Sequence, residues 1–163
     1  MGNFSNLIPT ALGETIAVAV IEDHKPSGTA GGTLPAGAWR TRDLNTITSD
    51  DDSIVTLNAN QFTLQAGTYL INAIVPSYRV NRSTAQIYNI TDGVEIAYGT
   101  VNYANGTYNG HNLSNIEVQV TLVSPKTFEI RHQCQTSTSN EGFGVSSNYG
   151  TGVFTQVKIT KKA

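Results

Sequence analysis

Apolar and polar residues alternate at period two on both sides of Gly67 in residues 60–75. Such alternation is typical of a strand with one buried face, and glycine readily takes the positive φ of a tight turn. The pattern predicts an antiparallel hairpin with its turn at Gly67. One face of the second strand would bury Tyr69, Ile71, Ala73 and Val75.

Two further segments carry strand signals. Residues 116–122 alternate apolar with polar side chains, which predicts a strand with one wet face. Asp92-Gly93 stands between residues 84–91 and 94–100, and this dipeptide favours a two-residue turn of the primed type. The sequence therefore predicts a second hairpin there.

Polar segments separate the predicted strands. Residues 24–38 contain too few apolar groups to be buried, and residues 103–111 and 136–150 are also predicted as loops. Pro76 is expected to end the strand 68–75, because proline cannot donate to a ladder. We predict an all-β, antiparallel jelly-roll sandwich of eight to ten strands. Its core should include Ile71, Ala73, Val118, Val120, Phe128, Ile130, Val157 and Ile159.

Composition supports this class and narrows the function. Val, Ile and Thr supply 47 of the 163 residues, and these side chains pack well on pleated sheets. The net charge is −2 and the basic residues are scattered, so the cationic stripe of a nucleic-acid binder is missing. The longest apolar run, 16–21, is too short to span a bilayer, and no signal peptide is recognisable. We expect one domain, no nucleic-acid partner and no membrane insertion.

The titratable residues do not predict an enzyme. His24, His111 and His132 lie on separate predicted elements, without metal-ligand spacing. Cys134 is the one cysteine, which excludes an intrachain disulfide, and its spacing from Phe128 places it in the core. We therefore expect no catalytic residues and no cofactor.

One acidic cluster is a weak calcium candidate. Asp50, Asp51 and Asp52 offer hard oxygen ligands, but they lack the spacing of a recognised calcium loop. An exposed, mutually repelling turn is the favoured interpretation, so no metal is expected.

Aromatic and arginine residues mark the candidate contact surfaces. Residues 78–82 combine tyrosine with two arginines, the types enriched at interface hot spots, although a plain strand edge with solvated arginines would look similar. Residues 103–111 offer tyrosine with adaptable Asn and Gly, a composition that also suits sugar binding. The candidates for a subunit interface or a ligand site are Tyr78, Arg79, Arg82, Tyr103, Tyr108 and Phe154.

Residues 1–15 differ from the domain predicted for residues 16–163. Their apolar side chains show no strand alternation, and Pro9 and Gly13 interrupt them. A docking arm and a disordered leader both fit this pattern. As an arm, the segment would bury Phe4, Leu7, Ile8 and Leu12 against a partner.

Several motifs resemble a known superfamily. The spacing of Phe62, Gly67, Tyr69 and Ile71, preceded by an Asn- and Asp-bearing loop, is similar to the globular heads of complement's first component. Those heads are tumour-necrosis-factor-like jelly rolls. Four further segments resemble a bacteriophage branch of this superfamily: residues 27–46, 78–82, 90–93 and 142–150.

The resemblance covers roughly residues 16–160 and implies a fold and a homotrimer, but no ligand. Members of the phage branch sit on virions as capsid-decorating knobs or as tail-fibre tips. We expect a non-enzymatic virion protein, made in the host cytoplasm and held on the major capsid protein or another virion protein by its N-terminal arm. The alternative is a fibre tip that contacts host surface glycans or proteins, and a bacterial complement-like lectin is a third interpretation. A fibre tip would be expected to follow a shaft. Because only about 15 residues precede the first predicted strand, capsid decoration is favoured.

Overall fold

The computed structural model describes residues 16–104 and 110–162. Within these ranges the chain forms strands and one short 3-10 turn, Asp51–Ser53, and no helix there is long and apolar enough to cross a membrane. The strands are β1 (Ala17–Lys25), β2 (Arg40–Thr41), β3 (Thr46–Asp50), β4 (Val55–Asn58), β5 (Gln61–Leu64), β6 (Gly67–Tyr78), β7 (Asn81–Asn89), β8 (Val94–Tyr98), β9 (Asn102–Ala104), β10 (His111–Leu122), β11 (Lys126–Cys134) and β12 (Gly152–Lys162).

The strands form two antiparallel sheets. Sheet I has the order β10-β6-β12-β1-β3, and sheet II has the order β4-β5-β11-β7-β8. The short strand β2 pairs with β11, and β9 pairs with β7. This is the predicted all-β sandwich, with two of its twelve described strands only two or three residues long.

The core lies between the sheets, as the alternation predicted. All four inward residues predicted on β6, from Tyr69 to Val75, are buried. Phe62 and Phe128 stack across the two paired strands of sheet II at 5.6 Å between ring centroids. Of the predicted core, Val118 and Val120 are only partly buried, because they lie on edge strand β10; the other six residues are fully enclosed.

The hairpin predicted at Gly67 is wrong. β5 pairs with β4 and β11 in sheet II, whereas β6 pairs with β10 and β12 in sheet I. Gly67 therefore lies where the chain crosses between sheets, and its φ of +150° is one that L side chains rarely adopt. Alternation reports which face is buried but does not identify the pairing partner.

The hairpin around Asp92-Gly93 exists, but its turn differs from the prediction. Asn89 pairs with Val94, so the loop has four residues, and of the two turn residues only Gly93 has a positive φ. The side chain of Asn89 accepts a hydrogen bond from the Asp92 backbone N–H at 3.0 Å. This local bond stabilises a wider turn than a primed dipeptide would make.

Three further boundaries need correction. β6 continues through Pro76 to Tyr78. Its pairing with β12 ends at Ile74, so Pro76 lies where β6 pairs with β10 alone, and the N–H that proline lacks is not needed for a bond to β12. The segment 46–50, for which the sequence predicted no strand, is edge strand β3 on β1. The segment 24–38 is not wholly exposed, since Leu34 is fully buried.

Leu34 belongs to a second, small core that closes one end of the sandwich. It packs with Val80, Cys134 and Phe143. The two long loops that enclose this cluster bond to each other through Gly31 N–H to Gly144 O at 2.8 Å and Phe143 N–H to Gly32 O at 3.0 Å. Backbone pairing between loops satisfies polar groups that burial would otherwise leave unpaired.

Arg42 connects this end of the molecule to both sheets. Its backbone N–H donates to Ile130 O in sheet II at 2.8 Å. Its fully buried guanidinium donates to Thr155 Oγ1 at 2.8 Å and Pro76 O at 3.2 Å in sheet I, and to Phe143 O at 3.0 Å. Burial lowers the pKa of Arg42 to about 9, opposed by the nearby carboxylates of Asp23 and Asp43, so the side chain stays charged at neutral pH.

We expect Arg42→Met to lower the free energy of unfolding by about 3–5 kcal/mol, because it removes three buried donors and leaves the Thr155 hydroxyl and the Pro76 and Phe143 carbonyls without these hydrogen bonds. Arg40→Met is the matched control: Arg40 is exposed two residues earlier, and its loss should cost within about 0.5 kcal/mol. Urea denaturation of both variants measures the difference. An equal loss of unfolding free energy in the two variants would contradict a stabilising role for the buried Arg42 guanidinium.

Candidate functional site

An apolar groove lies at one end of sheet I. It has a volume of about 420 Å³ and is walled by β6, β10, the start of β12 and the loop before β12. Three of its apolar side chains are unusually exposed: Ile74 at 42%, Leu113 at 48% and Val153 at 48%. Apolar groups gathered in one groove, rather than scattered, make this surface a candidate contact site.

Phe154 forms the floor of this groove and is itself buried. The loops of the second core lie so close that a Cβ on Gly144 would fall 2.6 Å from the ring, and one on Gly31 would fall 2.9 Å from it. Only glycine permits this approach, which explains the glycine-rich composition on both sides of the groove. The ring is therefore fixed in position by the fold and supports the more exposed side chains around it.

One wall of the groove is held by a histidine. The Val145 backbone N–H donates to His111 Nε2 at 2.8 Å, so Nε2 must be unprotonated and Nδ1 must carry the ring proton. The ring also packs edge-on against Tyr78, with 5.5 Å between centroids. Partial desolvation lowers the pKa of His111, and the neutral form that the bond requires is favoured. Tyr78 is the one titratable group that the described contacts place against the ring.

Tyr78, the first residue of the predicted 78–82 surface, is thus buried beneath this wall. Arg79 is exposed in the turn after it, with its guanidinium 6.0 Å from the Tyr78 ring and a positive φ of 56°. Residues 78–82 do not form one contact surface, because the Val80 side chain is buried in the second core and Arg82 lies on β7 of sheet II.

A hollow of about 680 Å³ lies on the outer face of sheet II. Its wall includes Val101 and Tyr103, its floor Arg82 and Thr84, and its far side Gln133 and Gln135. Tyr103 is the register partner of Arg82 and is 56% exposed. The structure therefore brings two predicted recognition residues together, while Tyr108 lies outside the described residues.

The aspartate cluster has local backbone partners. Asp50 Oδ1 accepts a hydrogen bond from Ile54 N–H at 2.8 Å, and Asp51 Oδ2 accepts one from Val18 N–H at 3.3 Å. Within residues 16–104 and 110–162, no three His, Cys, Asp or Glu side chains are grouped to hold a metal ion. The carboxylates of Asp50 and Asp51 thus stabilise the turn after β3.

The three histidines lie apart, as the sequence predicted, but His132 is not a satisfied core residue. It is fully buried, and neither ring nitrogen has a hydrogen-bond partner in the part of the chain that the structure describes. Burial, aided by the positive charge of Arg42, lowers its pKa to about 3. Burial also raises the pKa of the Cys134 thiol, so this cysteine is not activated as a nucleophile.

Sequence reasoning missed Leu113 as a site residue. Leu113 lies on the outward face of β10, where the other residues are mostly polar, and an apolar residue on that face is the signal that could have identified it. Arg42 gave no signal, since nothing in its local sequence distinguishes a buried arginine from an exposed one. The predicted arm, with Phe4, Leu7, Ile8 and Leu12, lies outside the described residues.

Comparison with known proteins establishes the fold. No protein-family model and no curated protein sequence matches the chain. A crystal structure of murine APRIL at pH 5.0 is similar, with a TM-score of 0.62 and 8% identity, covering 90% of this chain and 99% of that one. A second, at pH 8.0, has a TM-score of 0.59 with 9% identity over the same shares. The globular domain of zebrafish complement 1qA has a TM-score of 0.49 and 11% identity, covering 91% and 96%. The likeness to APRIL confirms the predicted tumour-necrosis-factor-like jelly roll.

We expect the groove wall to loosen in acid. Because the folded-state pKa of His111 is lowered, its stabilising bond is present above the ordinary value of about 6.5 and is lost as the pH falls through the lowered value. The protection factor of the Val145 amide in hydrogen exchange should drop over this range, whereas that of Gly144, bonded to Glu141 O, should not. His111→Ala should remove the pH dependence. Constant Val145 protection from neutral pH down to the onset of acid unfolding would show that the bond is not protonation-sensitive.

Proposed function

We propose that this protein is a non-enzymatic structural component of a bacteriophage virion, a homotrimeric knob that decorates the capsid. The observation that carries the trimer is the apolar groove on sheet I, where Ile74, Leu113 and Val153 are exposed together. The fold supports the same conclusion, because tumour-necrosis-factor-like domains typically form homotrimers. The phage assignment rests on the motif resemblance of residues 27–46 and 142–150.

A second apolar strip supplies the complementary surface for such a trimer. Val94 and Tyr98 are exposed along β8, the edge strand of sheet II. The groove and this strip are different surfaces of one chain, so a contact between them is heterologous. When the rotation that relates neighbouring protomers closes after three copies, such contacts form a trimeric ring. We propose that Val94 and Tyr98 of one protomer pack at the groove of the next.

Capsid attachment is assigned to residues 1–15. Four apolar side chains, Phe4, Leu7, Ile8 and Leu12, are the groups that would be buried against a shell protein. At about 25 cal/mol per Å² of apolar area, they would contribute several kcal/mol per protomer, and three linked arms bind more tightly than one.

A receptor-binding fibre tip is the second candidate function. The hollow on sheet II favours it, since Tyr103 and Arg82 form an exposed concave surface that the trimer contact through the groove leaves open. In this role the same knob would contact the host surface instead of the capsid.

Ile74→Asp should convert the trimer to a monomer, because it places a charge in an interface that excludes water. Val123→Asp is the control, since Val123 is an exposed apolar residue in the turn before β11, away from the groove. Sedimentation equilibrium at micromolar concentration measures the mass. A monomeric wild type, or a trimeric Ile74→Asp variant, contradicts the assembly.

Deletion of residues 1–15 should leave the trimer intact but prevent its incorporation into particles. A full-length chain with Phe4, Leu7, Ile8 and Leu12 replaced by serine separates the apolar contribution from chain length, and it should fail equally. Immunogold labelling and quantification of purified virions provide the measurement. Label found only at the tail end would support the fibre-tip function, and normal incorporation of the truncated trimer would exclude the arm.

A further inference from the structure

We propose that the hollow on sheet II is a binding site for a carboxylate-bearing saccharide, with Arg82 binding the carboxylate and Tyr103 stacking on the sugar ring. The site lies on the outer face of sheet II, away from the groove on sheet I. It therefore adds a ligand to the proposed knob and does not depend on how the groove is covered.

The shape of the hollow fits a ligand of one to three sugar units. Its volume of about 680 Å³ falls within the range of about 300–1,000 Å³ typical of small-molecule sites. β9 and β7 hold the walls in fixed register, with Tyr103 opposite Arg82 and Asn102 opposite Ser83. The Asn102 side-chain oxygen accepts the Ser83 hydroxyl at 2.7 Å, which fastens β9 to the sheet from the inner side. The site is thus built on paired strands.

The lining combines an aromatic ring with planar amides. Tyr103 offers an exposed, rigid face of the kind that covers apolar ligand surface at low cost in side-chain entropy. Gln133 and Gln135 each carry both donors and acceptors, which match the paired donor and acceptor character of sugar hydroxyls. The exposed lining is mostly apolar with a few polar groups, so a ligand that combines an apolar face with hydroxyl groups, such as a sugar, is favoured.

The charge of the site favours an acidic ligand. Arg82 is charged and lines the hollow, and no Asp or Glu is among the described residues that line it. Arg40 lies close enough to lower the pKa of the lining thiol Cys134 in opposition to burial, and so adds a second positive field. Arg82 Nη1 donates to Gln135 Oε1 at 3.2 Å, which orients the guanidinium and leaves further donors for a carboxylate.

The test uses the full-length protein and three matched probes: trigalacturonic acid, its carboxyl-reduced neutral counterpart, and tri-glutamate. Titration followed by NMR should show trigalacturonic acid shifting the signals of Tyr103 and the Arg82 side chain. Affinity for the neutral trisaccharide should be at least about tenfold lower, because a charge-assisted hydrogen bond is lost. A sialyl trisaccharide is titrated alongside, so that a preference among acidic sugars is not mistaken for absence of binding.

Two variants and one control assign the roles. Arg82→Gln should reduce affinity for the acidic sugar about tenfold and leave affinity for the neutral sugar unchanged, whereas Tyr103→Ala should weaken both. Arg79→Gln removes an exposed arginine outside the hollow and should have no effect. Thermal denaturation confirms that each variant is folded. The proposal is overturned if neither acidic saccharide binds, if tri-glutamate binds as tightly as they do, or if Arg79→Gln matches Arg82→Gln.

Discussion

The buried guanidinium of Arg42 is the interaction on which the groove end of the molecule depends. A charge at this depth is tolerated only when every donor has a partner and carboxylates lie nearby. Thr155, Pro76 and Phe143 supply the acceptors from three separate segments, and Asp23 supplies buried negative charge. Because these bonds have narrow geometry, they fix β6 and β12 relative to the loop around Phe143. The guanidinium also lies 4.0 Å from the centre of the Phe143 ring, which links the polar network to the second core.

The position of the groove follows from this arrangement. Phe143 belongs to the loop that continues through Gly144 to Val145, and that loop covers Phe154 and forms the wall bonded to His111. A shift of Phe143 would therefore move both the floor and the wall of the groove. The exposed apolar side chains can present a defined surface to a partner because the loop beside them is held by buried bonds rather than by solvent-exposed ones.

The sequence predicted the fold class and most of the core, because alternation reports burial directly. On β6 every second residue from Tyr69 to Val75 is enclosed, as the period requires, whereas Pro76 to Tyr78 on β6 and Glu129 on β11 are buried in addition. The pairing of strands was harder to predict. β5 and β6 are adjacent in sequence but lie in different sheets, because long-range packing decides which strands pair. The site was predictable in part. Tyr103 and Arg82 were recognised by residue type, but the groove was not, since it is formed by β6, β10, β12 and a loop that are far apart in the chain.

The two sheets offer surfaces of different chemistry. The groove on sheet I gathers three exposed apolar side chains above a fixed ring, with polar residues such as Ser147 and Gln156 beside them. Burial of the apolar groups favours a contact that excludes water. The hollow on sheet II is mostly apolar in its exposed lining, with Arg82, Gln133 and Gln135 supplying the polar groups. An assembly surface tolerates little variation, because each change is repeated at every subunit contact, whereas the lining of a solvated hollow can change without loss of folding. In the proposed knob, the groove and the β8 edge would keep a constant means of assembly, while the residues that line the hollow could vary with the ligand.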